Sequence, residues 1–241
     1  MVAVEANQEL CLQISNKFAE EIKQGKLVVE RYVLCDSEDQ DEVAFYIHKT
    51  NHVLSQFPRP KDELIHNFDQ VLIPSITPAK LIRKHGDPHY IKIDIEHFDA
   101  QILRSLFQNH IRPPYISAEA HTAEVFSLLV TQGGYDAFKL VDGASVAIDY
   151  KNRTISSNTG SRVNYSFPFH SAGPYGDDVD GDWLTANAML RKLGLYGCGW
   201  RDLHATNEAK KTVDTFPYRR EFPKYVLKKL SARLRRLLSS R

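Results

Sequence analysis

The sequence is poor in the features that would assign it a simple class. It has three cysteines in 241 residues, Cys11, Cys35 and Cys198, far apart and without a Cys-x-x-Cys pair. A disulfide framework and a structural zinc site are therefore not expected, and a reducing compartment is. No stretch approaches the roughly 20 apolar residues of a membrane-spanning helix. The apolar residues after Val125 are interrupted at Thr131, Gln132, Gly133 and Gly134. No basic stretch followed by an apolar run opens the chain, so no secretory signal is expected. There is no Gly-x-x-x-x-Gly-Lys-Ser/Thr loop and no Gly-x-Ser-x-Gly elbow. A P-loop nucleotidase and a serine hydrolase of the elbow type are disfavoured on that ground.

What is present is an ordinary globular composition, 42% hydrophobic and 25% charged. A chain of this length can bury roughly 70–75% of the surface its unfolded form exposes, so it folds without a staple. The net charge of +1 hides an asymmetry. Nine of the 31 bases and one of the 30 acids fall between Arg219 and Arg241, a net of +8. Residues 1–218 keep 22 bases and 29 acids, a net of −7. With an acidic body and no recognition module, a nucleic-acid partner is not expected.

Hydrophobic spacing predicts alternating strands and helices. Strands are expected at Val2–Val4, Leu27–Leu34, Val43–His48, Val71–Ile76, Tyr90–Glu96, Tyr115–Glu119 and Phe138–Val141. Helices are expected at Gln8–Gln24, Ala79–His85, Asp99–Asn109, Ala123–Gln132 and Thr185–Leu195. Asn51–Asn67 and Lys151–Arg162 read as loops. The alternation predicts an α/β fold with a largely parallel sheet, whose ligands bind at the carboxyl ends of the strands. Tyr225–Leu238 carries a leucine stripe with lysines and arginines around it. It predicts a basic amphipathic helix about 20 Å long, suited to a peripheral membrane contact or to docking on the acidic body.

Tyr90–Glu96 carries the most chemistry. In a strand, Ile91, Ile93 and Ile95 point one way and Lys92, Asp94 and Glu96 the other. Charges on a covered face are costly unless paired or placed at a site. This favours Asp94 and Glu96 at a site mouth, with His97 beside them, over a solvated strand face. Glu5 and Glu119 each end a strand, where an acid can accept hydrogen bonds from ribose hydroxyls. The alternative is a loop-edge acid with no ligand. The ten histidines otherwise read as surface or loop residues.

Several segments together resemble the FkbM-type S-adenosylmethionine-dependent methyltransferases. Val2-Ala3-Val4-Glu5-Ala6-Asn7 is similar to that family's second strand and ribose-binding acid. Tyr90–Asp99 is similar to its fourth-strand signature, Lys-Ile-Asp-(Ile/Val)-Glu-Gly. Ser117-Ala118-Glu119 resembles the end of its fifth strand. Ser171–Asp178, followed by Trp183, resembles a Ser-Ser-Gly-Pro-Phe-Gly-Glu-Asp stretch found in one branch. The resemblance runs from Val2 to about Thr206.

It implies a Rossmann-like class I methyltransferase domain over residues 1–210, with residues 211–241 as a basic tail. It implies S-adenosyl-L-methionine as cofactor and a hydroxyl of a glycan or small molecule as acceptor. Glu5, Asp36 and Asp94 would bind the cofactor, and Asp94, Glu96 and His97 would be catalytic. No metal is implied. Two departures accompany the resemblance. The family's glycine-rich loop belongs upstream of Val2, so the sheet is expected to lack its first strand, and a non-catalytic binding module that keeps the fold is the second expectation. The glycine that follows the signature acid in the family is His97 here. The expected location is cytoplasmic, with membrane association through the C-terminal helix.

Overall fold

The computed structural model describes residues 1–36, 41–95, 98–156, 160–169, 171–217, 221–223 and 226. The C-terminal helix expected at Tyr225–Leu238 lies outside the described residues. The chain is mixed α/β and divides into two compact units, Met1–Pro113 and Pro114–Arg241. Among the described residues no helix is long and apolar enough to cross a membrane.

The first unit opens with β1 (Val2–Val4), α1 (Gln8–Lys17), α2 (Ala19–Lys23) and β2 (Val28–Glu30). β1 and β2 pair in parallel, Val2 opposite Val28 and Val4 opposite Glu30. Parallel neighbours need a crossover, and the two helices supply it. Asn7 caps α1, its side chain accepting from the Glu9 N–H at 2.9 Å. The single helix expected over Gln8–Gln24 is two. Phe18 leaves the helical backbone region, and α2 beyond it has no buried residue, so no apolar stripe carries one helix through. Gly25 stops the helical run at φ +68°, a conformation open to glycine.

The strand expected over Leu27–Leu34 is also two. β2 ends at Glu30, and β3 (Val33–Leu34) pairs in parallel with β5 (Phe68–Ile76) in a different sheet. β4 (Glu42–His48) lies antiparallel on β5 over seven residue pairs, from Glu42 opposite Pro74 to His48 opposite Phe68. Ala6, Val33, Val43, Phe45 and Ile73 form one hydrophobic cluster of this unit. α3 (Pro78–His85) starts on Thr77, whose hydroxyl accepts from the Lys80 N–H, with proline in the first turn where its missing N–H costs nothing. β6 (Tyr90–Ile93) and α4 (Asp99–Gln108) complete the unit.

The second unit contains β7 (Tyr115–Glu119), α5 (Ala123–Thr131), β8 (Ala137–Asp142), α6 (Val146–Asp149), β9 (Arg153–Ser156), β10 (Arg162–Tyr165), β11 (Trp183–Leu184), α7 (Ala186–Tyr196), β12 (Arg201–Thr206) and β13 (Thr212–Val213). Within this unit the strand order is β13-β11-β8-β12-β7. β12 is antiparallel to both β7 and β8, and β11 is antiparallel to β8. The largely parallel sheet expected from the alternation is thus a mixed one. β7 and β8 run the same way, with α5 between them, and β12 returns between them in the opposite sense.

β12 carries Asp202, His204 and Thr206 at alternate positions, a polar set that does not read as a central strand. All three are buried, and so are Leu203 and Ala205 beside them. Lys151–Arg162, expected as loop, holds part of an antiparallel hairpin in which Arg162 faces Ser156 and Tyr165 faces Arg153. Val163 and Tyr165 alternate with Arg162 and Asn164 along β10, yet the strand is exposed throughout and buries neither.

Candidate functional site

The first unit encloses a cavity of about 830 Å³. β1 and the residues after it border it through Val2, Val4 and Glu5; β6 and the residues after it border it through Tyr90–Ile95. α3 contributes Leu81, Ile82 and His85, and α4 contributes Ile102 and Leu106. Two acids stand just past the ends of the two bordering strands. Glu5 follows β1 and Asp94 follows β6, and both line this cavity.

The Glu5 carboxylate is fixed. Its Oε1 accepts the Asn7 N–H at 2.7 Å, and Asn7 in turn caps α1. Loss of water around it pushes its pKa up, against the lowering effect of the Asn7 and Ala6 N–H groups. Cys11 in α1 donates its thiol to the Glu5 carbonyl at 3.3 Å. Burial, and then the nearby Glu5 charge, raise the Cys11 pKa. Asp94 is more open. Its side chain is 58% exposed, and its Oδ2 lies 3.6 Å from Lys92 Nζ.

The remaining expected site residues fall elsewhere. Asp36 is not among the residues lining the cavity. It follows β3, not the strand that pairs with β1, because the expected strand divides after Glu30. Glu96 and His97 lie outside the described residues. Glu119 ends β7 in the second unit, where it is buried with its Oε2 3.1 Å from His121 Nε2.

The acid that does end the strand beside β1 is Glu30, which the sequence reading passed over. Its Oε1 accepts from Lys84 Nζ at 2.7 Å and meets His85 Nε2 at 2.8 Å. The Lys84 ammonium in particular holds the Glu30 carboxyl below the usual range, although burial opposes it and His85 assists. The run Val28-Val29-Glu30-Arg31 held the signal, an acid closing an apolar pair as Glu5 closes Val2–Val4.

The Ser171–Asp178 stretch has a structural explanation in the second unit. Gly176 sits at φ +64° and opens a 3-10 turn over Gly176–Asp178. The turn presents Asp177, which accepts from Trp183 Nε1 at 2.8 Å and from Lys210 Nζ at 2.7 Å. Burial acts upward on the Asp177 carboxyl, but these donors together hold it low. Lys139 is buried beside them, 4.8 Å from the centre of the Trp183 ring, and desolvation lowers its pKa. Among the described residues no cluster of histidine, cysteine and acids could hold a metal ion.

The cavity can take a nucleoside-sized ligand, since it falls within the usual range of roughly 300–1,000 Å³ for small-molecule sites. A desolvated carboxylate at its edge is suited to accept paired hydroxyls, and apolar walls suit a flat ring. Comparison with protein-family models, with curated proteins and with solved structures found no match to this chain.

Proposed function

We propose that the chain is an S-adenosyl-L-methionine-dependent O-methyltransferase of Rossmann-like class I fold, acting on a hydroxyl of a glycan or small molecule. The observation that carries this reading is the convergence of Glu5 and Asp94 on one cavity, each just beyond the end of its strand. These are the acids of the two segments that resemble the FkbM-type family at its second and fourth strands. The return of β12 between two parallel strands, in the second unit, is compatible with such a sheet.

Glu5 would hold the ribose. Its carboxylate is oriented by Asn7, its position is set by β1, and its desolvation strengthens hydrogen bonds made to it. Leu81 and Ile82 would offer apolar contact to the base. The cofactor, when bound, supplies an electrophilic methyl group. The protein's part is then to align the acceptor and to exclude water. Asp94, open at the mouth and 3.6 Å from Lys92, is placed to take the acceptor hydroxyl's proton.

Titration calorimetry with S-adenosyl-L-methionine tests the reading. Binding is expected, and Glu5→Ala is expected to weaken it about tenfold or more, the range for losing a charged hydrogen-bond acceptor. Asp94→Asn is expected to slow methyl transfer at saturating cofactor by about 10²–10⁴ once an acceptor is found. A folded chain that binds no cofactor would overturn the reading.

A further inference from the structure

α3 turns one face to the cavity of the first unit. Leu81, Ile82 and His85 line it, and their spacing of three and four residues puts them on one side of a helix. Of the α3 residues at the cavity, His85 alone has a polar side chain. Its imidazole is mostly enclosed, 19% exposed, and it is tethered: Nε2 lies 2.8 Å from Glu30 Oε1. Glu30 is not among the residues lining the cavity. The acid that closes β2 therefore bears on the cavity through His85.

The direction of that hydrogen bond follows from the acid. Lys84 donates to the same oxygen at 2.7 Å, and its ammonium foremost holds the Glu30 carboxyl below the usual range. An ionised carboxylate only accepts, so His85 Nε2 carries the hydrogen. In a neutral imidazole the other nitrogen, Nδ1, is then an acceptor. Among the described residues Nδ1 has no partner. An acceptor on an otherwise apolar helix face is matched by a polarised N–H of a ligand. Carboxylates, phosphates and carbonyls offer it only lone pairs. Leu81 and Ile82, the apolar residues of this face, are the ones assigned above to the base, so the polar edge of that base is what the acceptor would meet.

We propose that His85 is a specificity-determining residue of this cavity, its Nδ1 accepting a hydrogen bond from the exocyclic amino group of the bound base, and that Glu30 is the positioning residue that fixes its tautomer. The inference rests on the methyltransferase reading and adds to it a reason for choosing adenine over a 6-oxopurine. A 6-oxopurine puts a carbonyl oxygen where the amino group stood, lone pair against lone pair.

Titration calorimetry at about pH 8, where an ordinary imidazole is neutral, tests it with two probes, S-adenosyl-L-homocysteine and S-inosyl-L-homocysteine. These differ only in the amino or oxo group at C6 and the N1 proton that accompanies the latter. The unmodified chain is expected to favour the adenosyl probe by about tenfold or more, and His85→Phe, which keeps a flat ring without the acceptor, to reduce the preference to about twofold or less. Glu30→Gln keeps an oxygen for the Nε2–H and should retain most of the preference. Glu30→Ala should lose it. Both variants lose the ion pair with Lys84, so a merely structural role would move the two together. Long-range proton–nitrogen NMR of the unmodified chain, with His85 assigned from the His85→Phe spectrum, is expected to show the Nε2–H tautomer. Failure of the unmodified, folded chain to bind S-adenosyl-L-homocysteine overturns the methyltransferase reading and this inference with it. Binding without preference, a preference that survives His85→Phe, equal preference in the two Glu30 variants, or an Nδ1–H tautomer overturns this inference alone.

Discussion

At the residue scale, Glu5 carries a structural cost at the position proposed to hold the ribose. Its pKa is raised because the folded chain removes water from the carboxylate. A raised folded pKa means that the native state binds the proton more tightly than the unfolded state. That contribution is fully present below the unfolded value of about 4.3, and it is lost as pH rises through the higher folded value. At pH 7 the charged carboxylate therefore opposes folding. Glu5→Gln keeps an oxygen for the Asn7 N–H and removes the charge, so a higher thermal midpoint than wild type is expected at pH 7. The gap should close as the pH falls to about 4. Calorimetric melts of both proteins across that range check the sign, and under the proposed function the same variant should bind S-adenosyl-L-methionine less well. Gly133 shows the opposite kind of constraint. A Cβ there would stand 2.7 Å from the Leu129 carbonyl oxygen and 2.7 Å from the ring of buried Tyr135. Gly133→Ala should cost about 1–3 kcal/mol in denaturant unfolding, because neither backbone nor buried ring can step aside. In the sequence this glycine reads as a helix stop, which is accurate but omits the steric reason that only the packed structure supplies.

At the element scale, the helices with local signals are the ones the sequence places well. Thr185 is an example. Its hydroxyl accepts from the Ala188 N–H at 3.2 Å and starts α7. It also donates to Asp214. Thr185→Ala should lower stability by about 1 kcal/mol through the lost cap, and Thr185→Ser should restore most of it. Chemical denaturation of the two variants separates capping from side-chain packing. Strands are legible where they alternate or run apolar, as in β1, β4 and β7. They are not legible where tertiary partners satisfy buried polar groups. β12 is central between β7 and β8 and yet carries Asp202, His204 and Thr206, because those side chains find partners only once the sheet exists. The division between β2 and β3 is hidden for a related reason. Residues 27–34 read as one strand locally, and only the choice of neighbours, β1 for one piece and β5 for the other, separates them. That division is also why Asp36 follows a strand of a different sheet from the one containing β1.

At the scale of the whole molecule, the sequence carries a signal that no single element contains. Charge is segregated, −7 over residues 1–218 against +8 over residues 219–241. Glu5 is legible because it closes a short apolar run, and Asp94 because Lys92, Asp94 and Glu96 alternate with isoleucines along one segment. The cavity they share was not legible, since it needs α3 and α4 to be brought against β1 and β6. A role of the basic segment in long-range electrostatics can be tested without reference to the cavity. Each base near an anionic lipid surface contributes about 1 kcal/mol at low salt, and the attraction fades as the screening length falls from about 10 Å at 0.1 M to about 3 Å at 1 M. The acidic remainder competes for the same bases. If the segment serves as a membrane contact, the full chain should co-sediment with vesicles containing phosphatidylserine at low salt and be released as salt rises. A chain ending at Tyr218 should stay in the supernatant under both conditions. Equal sedimentation of the two chains would remove the membrane role. The acidic body would then be the partner that the basic segment's charge selects, and salt should shift the full chain's thermal midpoint more than that of the shortened one.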